Sequence, residues 1–361
     1  MYEADYQGLY CVGHEAFITE KDLVDGLCPD HQKPPELITE TNWFFKVSAF
    51  TEEIIEKIKT NEFQIWPAAS RQEVLSMLEA GFTDIAVTRP NVKWGIPVPW
   101  DEEQTIYVWV DALINYVTGA GYINNPDNYQ KYWPADWHVI GRDITKFHCI
   151  IWPALLLAAG LPIPKGVMVH GYLTLDNKKI SKSLGNIVDP NDWVAKYGSD
   201  AVRYFLMREV PWGSDGDVSE TKLRLRYESD LANSLGNLLS RITTLIEKYS
   251  DGVVPKNFPS ELDGYEQRIA EAMMQFRFHE SLALIWELLA WGNKTVDEYK
   301  LWELGKSDPK RFNQLAGSII AVLEKVGDYL RCFMPGTSLK ISAALNSAKL
   351  TKSEPLFPKV E

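Results

Sequence analysis

The chain has 361 residues, 45% of them hydrophobic, enough for two or more packed domains because a single core stops growing at about 250–300 residues. Its longest apolar run, 150–161, is far short of the ~20 residues of a membrane span, and Met1-Tyr2-Glu3-Ala4-Asp5 lacks the basic start and apolar stretch of a secretory signal, so the expected compartment is the cytosol. With 49 acidic against 37 basic residues the net charge is -12, which excludes polyanion binding by the surface as a whole; RNA would need a local basic face, for which Lys222-Leu223-Arg224-Leu225-Arg226 is a candidate.

Residues up to about Phe45 read as a short, turn-rich, aromatic unit that buries too little apolar surface to fold without a staple. The staple is expected to be zinc. Cys11-Val12-Gly13-His14 and Cys28-Pro29-Asp30-His31 are two Cys-x2-His pairs, each able to grip one side of a tetrahedral ion through sulfur and imidazole nitrogen. In a cytosolic chain such pairs are metal ligands rather than disulfides, and four protein ligands make the site structural. Of the remaining cysteines, Cys149 and Cys332 have no such partner in the pattern.

Apolar residues at helical spacing predict helices over 51–59 and 70–80. Runs of β-branched and aromatic residues then predict strands over 105–110, 137–141 and 167–171, with a helix from Asp143 to Ala159 stopped by Gly160 and Pro162. Strands alternating with helices imply a parallel sheet covered on both faces, whose ligands bind beyond the carboxyl ends of the strands. Those ends carry Asp111-Ala112-Leu113, Gly141-Arg142-Asp143 and His170-Gly171, although Asp143 has a second available role as a helix cap.

Directly after the third strand, Lys178-Lys179-Ile180-Ser181-Lys182-Ser183 places three ammonium groups and two hydroxyls in six residues. Compact cations and short donors on a loop suit nucleotide phosphates, while on composition alone such a cluster is more often a solvated turn. Beyond it, Asp189-Pro190 opens a short helix closing near Gly198, and Ser199-Asp200 is expected to cap the next one, to Arg208. Amphipathic helices over 231–249, 262–278, 281–291 and 312–333 read as a helical bundle, and 355–359 as an extended strap.

Lys179-Ile180-Ser181-Lys182-Ser183 resembles the Lys-Met-Ser-Lys-Ser signature of class I aminoacyl-tRNA synthetases, with Ile180 in the methionine slot. Tyr10 to Phe17, Phe147-His148 with Trp152-Pro153-Ala154, Ala201 to Leu206, and Asp230-Leu231-Ala232-Asn233 with Leu235-Gly236-Asn237 resemble methionyl-tRNA synthetases, in that family's order over nearly the whole chain. The resemblance implies an α/β fold: the C-terminal half of a Rossmann-type parallel sheet bearing a zinc insertion, followed by an all-α anticodon-binding helical bundle. The implied divisions are 1–80 (connective insertion with zinc knuckles), 81–186 (second half of the catalytic domain), 187–227 (stem contact), 228–345 (bundle) and 346–361 (strap).

Carried over by position, the family's methionine pocket implies Trp109, Ala112, Leu113, Tyr116, Ile144 and His148, with Leu113 where the family often has proline. Aromatic walls suit a polarisable thioether, at about 0.3–1.5 kcal/mol per sulfur contact. Gly141, Asp143, His170, Gly171 and Lys182 fall on ATP-binding positions, and Lys179, Ser181, Lys182 and Ser183 on the catalytic loop that holds the triphosphate, as its magnesium complex, in the transition state. Arg89 matches an arginine near the active site. Asn237 and Arg241, four apart on one helix face, with Trp302 supply the amide, guanidinium and ring that read unpaired anticodon bases. Cys11, His14, Cys28 and His31 are the implied zinc ligands.

The second class I signature, His-Ile-Gly-His, is absent: the six histidines, at 14, 31, 138, 148, 170 and 279, contain no His-x-Gly-His. The expectation is a methionine–tRNA ligase portion whose partners are methionine, ATP, tRNA(Met) and an N-terminal portion supplied as a separate chain, otherwise monomeric. The alternative is a catalytically inactive tRNA-binding protein; an enzyme for branched aliphatic amino acids would carry a large editing insertion for which the chain is too short. A sheet lacking its leading strands is expected to expose an edge and apolar faces.

Overall fold

The computed structural model describes residues 1–13, 16–18, 20–90, 92, 94–180 and 187–360. Two compact units are present, Met1–Val169 and His170–Glu361.

The first unit opens with a long antiparallel pair, β1 (Tyr2–Cys11) and β3 (Glu36–Phe45), in register from Tyr2↔Phe44 to Tyr10↔Glu36; β2 (Ala16–Ile18) adds to its outer side. This corrects the expectation of a short turn-rich segment. Thr39, Thr41 and the Trp43-Phe44-Phe45 run carry enough strand preference to continue the ladder to the core, where Phe44 and Phe45 are buried. Helices α1 (Thr51–Lys59) and α2 (Ala68–Glu79) stand where their periodicity puts them, burying Ile54 and Ile58, then Val74, Leu75 and Leu78. Between them lies β4 (Gln64–Trp66), and the short β5 (Ile85–Ala86) pairs with β3.

The run at 105–110 is divided rather than extended. Strand β8 (Asp101–Ile106), paired with β6 (Thr88–Arg89) and β7 (Pro97–Val98), ends at Ile106, and α3 (Val108–Ala120) begins two residues later. Val110, Leu113 and Val117 are the buried residues of α3, so helical spacing of apolar side chains outweighs the β preference of Val108-Trp109-Val110. Asp111, Ala112 and Leu113 consequently sit on a helix, not at a strand end. A short α4 (Pro126–Tyr132) follows, capped by Asn125.

Strand β9 (His138–Gly141) lies beside β10 (Gly166–His170), which pairs in parallel with β4. The predicted helix over 143–159 is broken into a 3-10 turn at Arg142–Ile144, a π turn at Phe147–Ile151 and α5 (Trp152–Ala158). Pro153 has no N–H to donate back to residue 149, and the ladder widens by one residue immediately before it. Among the described residues β9 is an edge of its sheet, with Val139 exposed. Nearby in sequence to α3 and α5, an apolar cavity of about 440 Å³ is lined by Ile114, Tyr122, Ile123, Trp152, Leu155 and Leu156.

The second unit begins with a small sheet of β11 (Leu173–Leu175), β12 (Lys178–Lys179) and β13 (Gly216–Asp217). Helix α6 (Pro190–Tyr197) is capped by Asp189, whose carboxylate accepts from the Asn191 N–H at 2.8 Å. Helix α7 (Ser199–Glu209) starts without the predicted Ser199-Asp200 cap: Asp200 instead accepts from the Thr337 N–H at 2.5 Å. Lys222, Arg224 and Arg226 lie on α8 (Glu220–Arg226) and do not form a free basic face. Arg226 pairs with Glu209 and Asp230 at 3.0 Å, and Lys222 with Glu209 and Asp217 at 3.4 Å.

A π-helical segment, Tyr227–Gly236, leads into α9 (Asn237–Ser250). The bundle is completed by α10 (Tyr265–Met274), α11 (Phe278–Glu298), α12 (Leu301–Ser307), α13 (Pro309–Leu330) and α14 (Pro335–Leu345). Leu238, Ile242, Leu282, Leu289, Ile319 and Leu323 meet at its centre with no accessible surface. The tail packs back, the Tyr227 hydroxyl donating to the Pro358 carbonyl at 2.7 Å.

Candidate functional site

Three of the four predicted metal ligands converge. Cys11 ends β1, and Cys28 and His31 occupy the loop before β3; their donor atoms all lie within 4.8 Å of one another. His14 lies outside the described residues. The His31 Nδ1 is 3.6 Å from the Cys11 Sγ and 3.5 Å from the Cys28 Sγ. With zinc–sulfur and zinc–nitrogen bonds of about 2.3 and 2.0–2.1 Å, the sulfur–nitrogen edge of a tetrahedron is about 3.6 Å, so these donors fit a zinc ion. Gly13 closes on the His31 ring so tightly that a Cβ there would overlap the imidazole.

The six positions proposed for the methionine pocket all belong to the first unit. Trp109, half-exposed on the first turn of α3, stacks on Phe147 with ring centroids 5.0 Å apart. One turn further along the helix Ala112 is exposed, whereas Leu113 is buried among Trp133, Ile151 and Trp152 as part of the core. Tyr116 then meets the widened turn of 147–151, its hydroxyl 2.9 Å from His148 Nε2. His148 Nδ1 is 3.0 Å from the Ile144 carbonyl. A carbonyl can only accept, so Nδ1 carries the proton, and in the neutral ring Nε2 accepts from the Tyr116 hydroxyl.

His138, on β9, was not selected from the sequence, yet it lies at the centre of this cluster. Its ring centroid is 4.3 Å from Tyr116 and 5.9 Å from His148, and the Trp152 indole N–H donates to its Nε2 at 3.3 Å. Burial, and secondarily the neighbouring His148, pushes the His138 pKa down to about 4. Burial likewise lowers His148, against the opposing effect of the Ile144 carbonyl, and raises Tyr116. At neutral pH the cluster is therefore uncharged. The local signal was weak because a histidine inside Trp137-His138-Val139-Ile140 reads as an ordinary strand residue.

A second recess of about 400 Å³ opens beside Trp109, lined by Tyr10, Arg89, Trp94, Ile96, Tyr107 and Asp111. The Arg89 guanidinium lies 4.0 Å from the Tyr107 ring centroid, and its Nη1 donates to the Thr88 carbonyl at 2.8 Å.

Of the nucleotide positions, Gly141 ends β9 and precedes the 3-10 turn in which Asp143 is exposed; no side-chain cap holds that turn, so Asp143 does not act as its cap. In the second unit, His170 Nδ1 lies 2.8 Å from the Gly171 carbonyl, and Gly171 is approached so closely by the Ser214 backbone that only glycine fits. The backbone of Lys179 is paired in β12, while Ser181, Lys182 and Ser183 lie outside the described residues. In the bundle, Asn237 and Arg241 share the first turns of α9, and Arg241 lies 6.0 Å from the Trp302 ring centroid while pairing with Asp297 at 2.7 Å.

Residues 2–243 match the family model described as tRNA synthetases class I (M). The chain belongs to the methionyl-tRNA synthetase family. It is 41% identical over its whole length to the methionine–tRNA ligase of Caldanaerobacter subterraneus subsp. tengcongensis and 40% identical, over 94% of its length, to that of Thermotoga maritima. It spans 61% and 56% of those two proteins. Among solved structures it resembles Mycobacterium tuberculosis methionyl-tRNA synthetase bound by methionyl-adenylate, with a TM-score of 0.89 and 34% identity, covering 99% of this chain and 77% of that one. The free state of the same enzyme matches with a TM-score of 0.83. The fold is thus the Rossmann-like α/β fold of class I synthetases with appended helices. Among the described residues no helix is long and apolar enough to cross a membrane.

Proposed function

We propose that the chain is a portion of a cytosolic methionine–tRNA ligase. The reaction joins a methionine carboxylate oxygen to the α-phosphorus of ATP with release of pyrophosphate, and the acyl group then passes to a ribose hydroxyl of methionine-specific tRNA with release of AMP. The observation that carries this reading is the uncharged cluster of Tyr116, His138 and His148, with Trp109 stacked on the adjoining Phe147. A neutral, aromatic and polarisable wall suits a thioether and penalises a charged side chain, which would lose its hydration without gaining a counter-ion.

In this scheme Trp109, Ala112, Tyr116, Ile144 and His148 hold methionine, Leu113 supporting them from the core. Gly141 and Asp143 take the ribose, the carboxylate accepting from sugar hydroxyls, and His170 and Gly171 the rest of the nucleotide. Lys179 and Lys182, with Ser181 and Ser183, stabilise the charge that develops on the magnesium-bound triphosphate, an effect worth several kcal/mol when donors are preorganised. Zinc at Cys11, His14, Cys28 and His31 would supply a structural cross-link, holding the turn after β1 against the 28–31 loop. Asn237, Arg241 and Trp302 read the anticodon, and the finer division of the chain into zinc insertion, catalytic half, stem-contact segment, bundle and strap belongs to the same proposal.

The open β9 edge and the apolar cavity lined by Ile114, Ile123 and Leu155 support a further polypeptide segment completing the first unit. Pyrophosphate exchange with methionine and ATP tests the reading. We expect background exchange from the chain alone and clear activity once the N-terminal segment of a relative is added as a second polypeptide. Failure of the reconstituted pair to exchange, with no methionine binding by equilibrium dialysis, would refute it. A tRNA-binding module is the second reading, recognised by tRNA binding with no exchange in either arm.

A further inference from the structure

The proposed anticodon residues do not account for a second aromatic–guanidinium pair on the same end of the bundle. Helix α11 ends at Glu298; Tyr299 closes it, Lys300 turns the chain through a left-handed conformation (φ 43°), and α12 starts at Leu301. The turn leaves two large rings, Tyr299 and Trp302, 43% and 40% exposed within four residues. Each has an arginine over it from a different helix. Arg241 of α9 faces Trp302 at 6.0 Å, and Arg311, in the first turn of α13, faces Tyr299 at 5.6 Å.

The pairs differ in one respect. Arg241 is already neutralised by Asp297 at 2.7 Å, whereas among the described residues the Arg311 guanidinium makes no ion pair and the Tyr299 hydroxyl no hydrogen bond. In a chain of net charge -12, where Lys325 and Lys256 on the same bundle face Glu266 and Glu324, a guanidinium without a carboxylate is available to a polyanion. The mount is also rigid. The Tyr249 hydroxyl of α9 donates to the Trp302 carbonyl at 3.1 Å, a Cβ at Gly305 would come within 2.5 Å of the Tyr249 ring, and the Asp308 side chain fixes the Arg311 N–H at 3.0 Å. The backbone that carries the rings and Arg311 is therefore already in place when a planar ligand stacks there.

We propose that Tyr299 and Arg311 form a second stacking platform for an unpaired RNA base, flanking the base taken by Trp302 and Arg241, with Arg311 also meeting a loop phosphate. This rests on the anticodon reading above. Stacking uses the face of the base and tolerates any base, so this platform contributes affinity and positions the loop while Asn237 and Arg241 supply discrimination.

The test is binding of an RNA hairpin carrying the methionine anticodon loop to the full chain, with each loop base in turn replaced by an abasic nucleotide. We expect Tyr299→Ala to weaken binding about tenfold, Tyr299→Phe to restore it, and Arg311→Ala to weaken it while flattening the salt dependence by about one ion. One abasic position should abolish the effect of Tyr299→Ala and a different one that of Trp302→Ala. Binding within twofold of the parent for both Tyr299→Ala and Arg311→Ala, with Trp302→Ala still harmful, would overturn the platform and leave the anticodon reading standing. A hairpin that the parent chain does not bind overturns both.

Discussion

His138 makes the stability of the first unit depend on pH in a calculable way. Folded, its imidazole stays neutral down to a pKa of about 4, because charging it would mean desolvating a cation among Tyr116, Trp133, His148 and Trp152. Unfolded, it titrates at about 6.5. Between these values the unfolded chain binds more protons, so stability is present above pH 6.5 and is lost as the pH falls toward 4. For this one group the loss between pH 7 and pH 5 is about 2 kcal/mol, out of a limit of about 3 kcal/mol set by the separation of the two pKa values. Replacement of His138 by Gln keeps an acceptor for the Trp152 indole N–H and removes the titration. Urea unfolding followed by tryptophan fluorescence at pH 7 and pH 5 should show a fall in the parent that exceeds the fall in His138→Gln by about that amount. Carboxylates such as Asp84, where hydrogen bonds from Ser48 outweigh burial and hold it below its usual range, destabilise at lower pH and do so in both proteins, so they cancel in the difference. Equal slopes for parent and variant would show that His138 is hydrated or charged in the folded chain and that the pocket is not neutral.

Gly13→Ala should push the His31 ring off the metal and weaken zinc binding by about 10- to 100-fold, as measured by competition with a chromophoric chelator; unchanged affinity would remove His31 from the ligand set. Tyr116→Phe takes the donor from the buried His148 Nε2 and should cost about 1–3 kcal/mol in urea unfolding at pH 7, with no loss expected only if that nitrogen is hydrated. Arg226→Ala leaves the mostly covered Asp230 without its cation and Glu209 with Lys222 alone, and should destabilise the second unit by about 2–3 kcal/mol; a thermal midpoint unmoved by the change would mean that these pairs are fully solvated.

Local chemistry was legible in the sequence wherever one short stretch determines the outcome. The Cys28-x2-His31 spacing by itself brings sulfur and nitrogen within 3.5 Å, and the apolar positions of 51–59 mark a helix face without reference to anything else. The family motifs likewise pointed to the right fold from contiguous residues. What failed was set from a distance. Val108-Trp109-Val110 has the composition of a strand and becomes helix because Val110, Leu113 and Val117 bury at helical spacing, the last two in a cluster with Trp133 and Trp152. The basic run 222–226 looked like an RNA-binding face because Glu209, Asp217 and Asp230, which neutralise it, lie outside the pattern.

The same distinction explains why the pocket's central histidine was missed. An imidazole is charged or neutral according to what surrounds it, and His138 is surrounded by Trp152, 14 positions later, and Tyr116, 22 positions earlier, with His148 presented from the π turn that precedes Pro153. One proline therefore shapes the electrostatics of a site to which it contributes no polar atom. Without the extra residue in that turn, the segment that carries His148 and the helix α5 that carries Trp152 would be offset from one another by about 100° around the axis, the rotation per residue of an α-helix.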